Sequence, residues 1–308
     1  MPHQEDSRPI PPTTMVFDGT SETSSFSVAK WGPATVATHA ASASTHISES
    51  VGNTVNGVIR DAQAMIKARY SCSLANPAES PVCVITIKPK YSESVRAALE
   101  KDEIGFYTKA SYNSSTCEMI FHFLPSHVHS AAACEFMKML TTHLDLLPMN
   151  QQYRLRDNAT IRVPNGFKEP DAQIFLTGRG PKDPTLVLEV GYSEGMSDLR
   201  LDARRWLSRT PPVLLVVLID IKKPHTTGMP TVTVEHWRRT ERRPYGEFIY
   251  SEVWPYTDNQ DYRIRLDYIF DTIPPQFITD GVPHDLVIPD AFVDRFMSDI
   301  RVGWLAML

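Results

Sequence analysis

The sequence predicts a chain of mixed class, α/β with α+β character, built around a mixed central β-sheet. Three observations carry this expectation. The stretch PTLVLEVGYSE (184–194) reads as a strand buried on both faces, because Thr185, Leu186, Val187, Leu188 and Val190 are the β-branched and apolar types that fill a central strand. Helical and strand patterns alternate from about residue 80 onward. The composition, 42% hydrophobic and 22% charged over 308 residues, is that of a globular protein able to bury one large core or two ordinary ones.

Residues 1–45 are rich in Ser, Thr, Ala and Pro with few large apolar residues, which predicts a flexible arm. A helical and α+β unit is expected over 46–147. It opens with Val51, Val55, Val58, Ile59, Ala62 and Ile66 at helical spacing. PVCVITIKP then reads as a strand, SESVRAALEKDE as a helix with a serine cap, CEMIFHFLP as a strand and SHVHSAAACEFMKMLTTHLDLL as a helix.

A core is expected over 148–243. ATIRVP, PDAQIFL and PTLVLEVGY read as three strands of one sheet. SDLRLDARRWLSR reads as an amphipathic helix, with Leu199, Ala203, Trp206 and Leu207 on one side and Arg200, Arg204 and Arg205 on the other. PVLLVVLIDIKK is a further buried strand and TVTVEHWRR an alternating edge strand. An acidic extension over 244–308 ends in a helix, where Phe292, Phe296, Ile300 and Trp304 recur every four residues as a docking stripe.

Glu189 breaks the apolar run of its strand. A carboxylate placed there loses its water and costs several kcal/mol unless it is paired or binds a metal. One reading makes it a metal ligand together with Asp171; the other pairs it with Arg204 or Arg205 of the next helix.

The order of a helix (126–147), three strands, a helix and a strand, with Pro170–Asp171 on one strand and Glu189 eighteen positions later on the next, resembles the restriction-endonuclease-like PD-(D/E)XK superfamily. The resemblance covers roughly residues 150–240 and is closest to uncharacterised fungal members. It rests on Lys168–Ala172, Pro184–Glu194, Leu199–Leu207 and Val232–Trp237. It implies an αβββαβ core and a hydrolase of phosphodiesters, with DNA as substrate. Asp171 and Glu189 would hold Mg²⁺ or Mn²⁺, since hard cations prefer oxygen ligands and neutralise charge developing on a phosphodiester.

The superfamily's lysine, two residues after the second acid, is replaced here by Gly191. Lys168 is the candidate substitute, with Arg205 a poorer one because a guanidinium does not shuttle protons. Glu135 is a candidate third metal ligand on the preceding helix. Arg200, Arg204 and Arg205 are candidates for contact with nucleic-acid phosphates. Asp202 is expected to pair with Arg205 or Arg209 rather than with metal. The alternative to a nuclease is a catalytically degenerate module of the same fold that serves in binding.

Charge is unevenly spread. Ten Lys/Arg stand against four Asp/Glu from Arg200 to Arg243, and eleven acids against four bases from Tyr245 onward. The basic stretch could face a phosphate backbone or dock the acidic tail, and that tail is also a candidate surface for a protein partner or a second copy. No signal peptide or membrane span is visible. Four cysteines without CxxC spacing fit reduced thiols in an intracellular, cytoplasmic or nuclear protein. His122, His127, His129 and Cys134 do not have a tetrahedral zinc spacing.

Overall fold

The computed structural model describes residues 55–75, 82–101, 109–123, 126–147, 153–156, 159–192, 195–222, 230–255, 260–271, 273 and 284–306, all within one compact unit, His39–Leu308. The arm expected over 1–45 and the acid Glu194 lie outside the described residues.

Strand β8 (Leu186–Gly191) is buried at every position, as its β-branched and apolar run requires. It lies near the middle of a six-stranded mixed sheet in the order β11 (Arg243–Trp254), β10 (Thr231–Thr240), β9 (Leu215–Lys222), β8, β7 (Ala172–Leu176), β4 (Tyr153–Arg156). Only β8 and β9 run parallel, and helix α4 (Met196–Leu207) makes the crossover between them. The other pairs are antiparallel.

The two faces of this sheet are covered differently. Leu199, Ala203, Trp206 and Leu207 of α4 pack on Val187, Val216, Leu218 and Trp237, which fulfils the amphipathic reading of that helix. The other face carries α3 (His127–Asp145) and α5 (Asp290–Leu305) over Ala172, Leu188, Val217 and Val234. Phe296 and Ile300 of the expected stripe are fully buried, and Phe292 and Trp304 pack partly buried against the same core.

A second sheet of five strands has the order β1 (Val82–Thr86), β3 (Glu118–His122), β2 (Lys109–Asn113), β6 (Gly166–Lys168), β5 (Ile161–Val163). Helices α1 (Val55–Ala75) and α2 (Pro89–Lys101) supply Ala62, Ile66, Val95 and Leu99 to its core. A small pair, β12 (Tyr262–Arg265) with β13 (Asp285–Ile288), completes the strands.

Helix α3, strands β4, β7 and β8, helix α4 and strand β9 follow the expected αβββαβ order, with a different first strand. ATIRVP becomes β5, the outer strand of the five-stranded sheet, which forms a hairpin with β6, and β6 in turn pairs with β2. The place of ATIRVP beside β7 is taken by the short strand YRLR. TVTVEHWRR is likewise not at the edge. β11 pairs along most of its length, and the hairpin tip falls at Thr240–Arg243.

A candidate active site between two sheets

Pairing of β7 with β8 sets Ala172 against Leu188, and one step further the Asp171 N–H donates to the Leu188 carbonyl at 3.1 Å. Alternation along both strands then turns Asp171 and Glu189 to the same face, the one covered by α4. Strands β2 and β6 of the other sheet bring the cations. Ser111 pairs with Lys168, so Lys109, two residues before Ser111, projects from the same face as Lys168.

The charged groups meet in one cluster. Lys109 Nζ stands 3.1 Å from Asp171 Oδ1 and 2.6 Å from Glu189 Oε2. Lys168 Nζ stands 3.0 Å from Glu189 Oε1 and 2.9 Å from Asp202 Oδ2. The Trp206 indole N–H donates to Glu189 Oε1 at 2.6 Å, and the Val190 N–H donates to Asp171 Oδ2 at 2.7 Å. His129 Nε2 lies 3.3 Å from Asp171 Oδ1. The side chains of Glu189, Lys168 and Asp171 are only 1%, 4% and 5% exposed, so these contacts act with little solvent screening.

Electrostatics follow from this packing. Burial alone raises the Asp171 carboxyl, but Lys109, His129 and the Val190 N–H outweigh it and hold the group well below the usual carboxylate range. Asp202 is also lowered: Lys168 and Arg205 overcome its burial. His122 is pushed down to about 3, by burial first and then by the Lys109 and Lys168 cations, so its imidazole is neutral at ordinary pH.

Glu169 aligns the strands that carry the two lysines. Its N–H donates to the Ala110 carbonyl at 3.2 Å, and its Oε2 accepts the Ala110 N–H at 2.8 Å. Thr160 donates its hydroxyl to Glu169 Oε1 at 2.7 Å. These bonds extend the pairing of β2 with β6 by one residue on each strand.

Asp171, Glu189 and Lys168 are therefore brought together as the sequence led us to expect. The partners of Glu189 are two lysines and an indole, not Arg204 or Arg205. Arg205 instead donates to the Tyr112 carbonyl at 3.2 Å and sits 3.7 Å from Asp202. Arg204 is exposed, with its guanidinium 5.7 Å from the centre of the Trp237 ring. Arg200 pairs with the buried Glu235, which also accepts the Trp237 indole N–H at 2.9 Å.

Glu135 requires a correction. Its carboxylate pairs with Lys138 one turn along the same helix, at 3.3 Å. It lies six residues from His129, which is about 240° around a helix and so on a different side from the ring that reaches Asp171. Lys222 pairs with Asp220 at 2.7 Å and is half exposed.

Lys109, Trp206 as a donor and Glu169 were not singled out from the sequence, and His129 was weighed there only as a zinc ligand. His129 carried a signal, because Ser126 three residues earlier caps α3 and accepts the His129 N–H at 3.1 Å, which fixes that histidine in the first turn. KASYN, with one lysine at its head, carried little.

There is no room for a side chain at position 191. A Cβ added at Gly191 would lie 2.8 Å from Leu199 Cδ1 and 3.2 Å from Leu199 Cγ. Leu199 is a buried residue of α4's apolar face, so a long side chain at 191 meets packed core.

Two carboxylates that already share one ammonium fit a hard cation. Contacts of 3.1 and 2.6 Å to a single nitrogen exclude the separation of about 8 Å at which no one ion could reach both. Among the described residues no group of three or more His, Cys, Asp or Glu side chains is arranged to hold a metal alone. Mg²⁺ does not need one, since it keeps several waters and takes one or two carboxylates plus substrate phosphate. The residues that would hold it are Asp171 and Glu189.

No family model and no curated protein matches the chain. Among solved structures, a candidate nuclease belonging to DUF820 from Anabaena variabilis is similar with a TM-score of 0.41 at 15% identity, covering 65% of this chain and 96% of that one. Among the described residues no helix is long and apolar enough to cross a membrane.

Proposed function

We propose that the protein is a metal-dependent phosphodiester hydrolase of the nuclease type, using Mg²⁺ or Mn²⁺ and acting on DNA. The observation that carries this reading is Lys168. In a module without chemistry Lys168 would be expected to face solvent. Here the side chain is 4% exposed and its ammonium lies 3.0 Å from Glu189, although it arrives from a strand of the other sheet.

The bound metal would neutralise charge on the phosphodiester. Asp171 and Glu189 hold it. Lys168, anchored by Asp202, orients water and stabilises negative charge in the transition state, which is the task left open at Gly191. Trp206 fixes the Glu189 rotamer from below. Arg204, exposed on α4, is the arginine of the three whose guanidinium rests on a ring rather than on a carboxylate, and it supplies a phosphate contact.

Calorimetry with Mn²⁺ and a plasmid-nicking assay test the reading. Glu189→Gln should lose both metal binding and cleavage, while Lys168→Met should keep metal binding and lose cleavage. Wild-type protein that binds no Mn²⁺ at millimolar concentration would defeat the proposal. A binding module without turnover is the second reading, favoured by Leu199 where the superfamily has room for its lysine. It expects metal binding at most, and no nicking by the wild type.

A further inference from the structure

Lys109 holds a peculiar position. Of the two lysines in the cluster, Lys168 sits to one side, between Glu189 and Asp202, whereas Lys109 straddles Asp171 and Glu189. Its ammonium therefore stands between the two acids proposed as metal ligands. Two carboxylates this close and this buried repel each other and lack hydration, so the metal-free protein needs a positive charge between them. Lys109 provides it. Its side chain is also the more exposed of the two lysines, 13% against 4%, and it ends a flexible four-carbon stem at the very start of β2.

We infer that Lys109 is a resident cation occupying the seat of the divalent ion, and that metal binding requires it to swing out. The inference rests on the reading of Asp171 and Glu189 as metal ligands. A monovalent ammonium and a divalent ion cannot both lie between the same two oxygens, so their occupancies are linked. Removing the internal competitor tightens metal binding, and metal binding frees the lysine. Glu169 keeps the backbone of β2 in place through Ala110, so the exchange is confined to the side chain. Lys168, buried and tied to Asp202, stays where it is.

Two measurements test this on the full chain. The first is calorimetric titration of wild type and Lys109→Met with Mn²⁺. Couplings between ligands typically amount to about 5–150-fold, and Lys109→Met should bind Mn²⁺ more tightly by a factor in that range. The second uses wild-type protein alone and so remains decisive if Lys109→Met fails to fold. An amine-reactive reagent with mass-spectrometric readout should label Lys109 several-fold faster in saturating Mn²⁺ than without metal, while Lys168 stays protected in both. Binding by the wild type with no tightening in Lys109→Met, or with Lys109 labelling unchanged or slowed by Mn²⁺, overturns the inference and leaves the nuclease reading standing. Failure of wild type and variant alike to bind Mn²⁺ removes the nuclease reading and the inference with it.

Discussion

Trp206 and Lys168 converge on one atom. The indole N–H and the ammonium both reach Glu189 Oε1, at 2.6 and 3.0 Å. A tryptophan that would serve well enough as core filler thus also holds the buried acid of β8 in a single orientation.

Trp206→Phe keeps an aromatic ring under the sheet but removes the donor. A hydrogen bond to a charged group is worth about 1.5–3 kcal/mol, and the smaller ring adds a cavity cost. Denaturant unfolding should report a loss of at least that size. The same substitution in a Glu189→Gln background should cost less, because the acceptor is no longer charged. Equal losses in the two backgrounds would reduce Trp206 to packing alone.

Stability should fall as the solution is acidified below about pH 6.5. His236 is buried and its pKa is pushed down to about 3 by that burial, against an ordinary 6.5. The unfolded chain therefore binds a proton that the folded chain refuses. Stability from this group is full above pH 6.5 and is lost on descent toward 3, at about 1.4 kcal/mol per pH unit. His122, pushed down to about 3 likewise, adds a second proton over the same window. Asp171 and Asp202, held below the ordinary 3.8, extend the loss to lower pH as they protonate. Chemical melts between pH 7 and 4.5 should show the slope, and His236→Phe should lower it by one proton. A slope unchanged by that variant would place the titration elsewhere.

Placing a lysine at position 191, as the resemblance would suggest, should fail. Gly191→Lys drives a side chain into Leu199, and overpacking of a filled core costs about 1–3 kcal/mol. The expected result is a less stable protein without a gain in nicking. Leu199→Ala in the same chain should recover part of the loss, and the double-mutant cycle measures it.

The C-terminal helix is docked rather than displayed. Phe296 is 1% exposed and meets Phe136 and Trp254 edge-on, with ring centroids 6.5 and 5.3 Å apart. Phe296→Ala should cost about 3–5 kcal/mol by thermal or chemical unfolding. A cost under about 1 kcal/mol would return the stripe to the status of an interaction surface.

The elements that bury one clear face were legible in the sequence, and the site was half legible. β8 announced itself because a carboxylate inside a two-sided apolar run has few innocent explanations, and Asp171 followed from its partner strand. α4 and α5 were readable from their apolar stripes. β11 was not, since much of its length faces solvent and offers little alternation to detect. β4, β5 and β6 have three or four residues each, too few to establish a period, so the sheet to which ATIRVP belongs could not be read from its own pattern. Lys109 was invisible for a different reason. A lysine at the head of a short strand is an ordinary surface residue until the partner across the interior is known.

The cluster has its acids on one sheet and its cations on another, and this bears on the order in which the chain can fold. Lys109 is separated along the chain from Asp171 by 62 residues and from Glu189 by 80. Contacts of such range close late, after the local helices and hairpins have formed. Until they close, neighbouring strands carry two like charges with no ammonium between them, and that repulsion opposes compaction of the six-stranded sheet. The arrival of β2 turns the same two charges from an obstacle into a latch. Assembly of the charged cluster is in this sense expected late in folding, and a chain caught before it has strands and helices but no cluster.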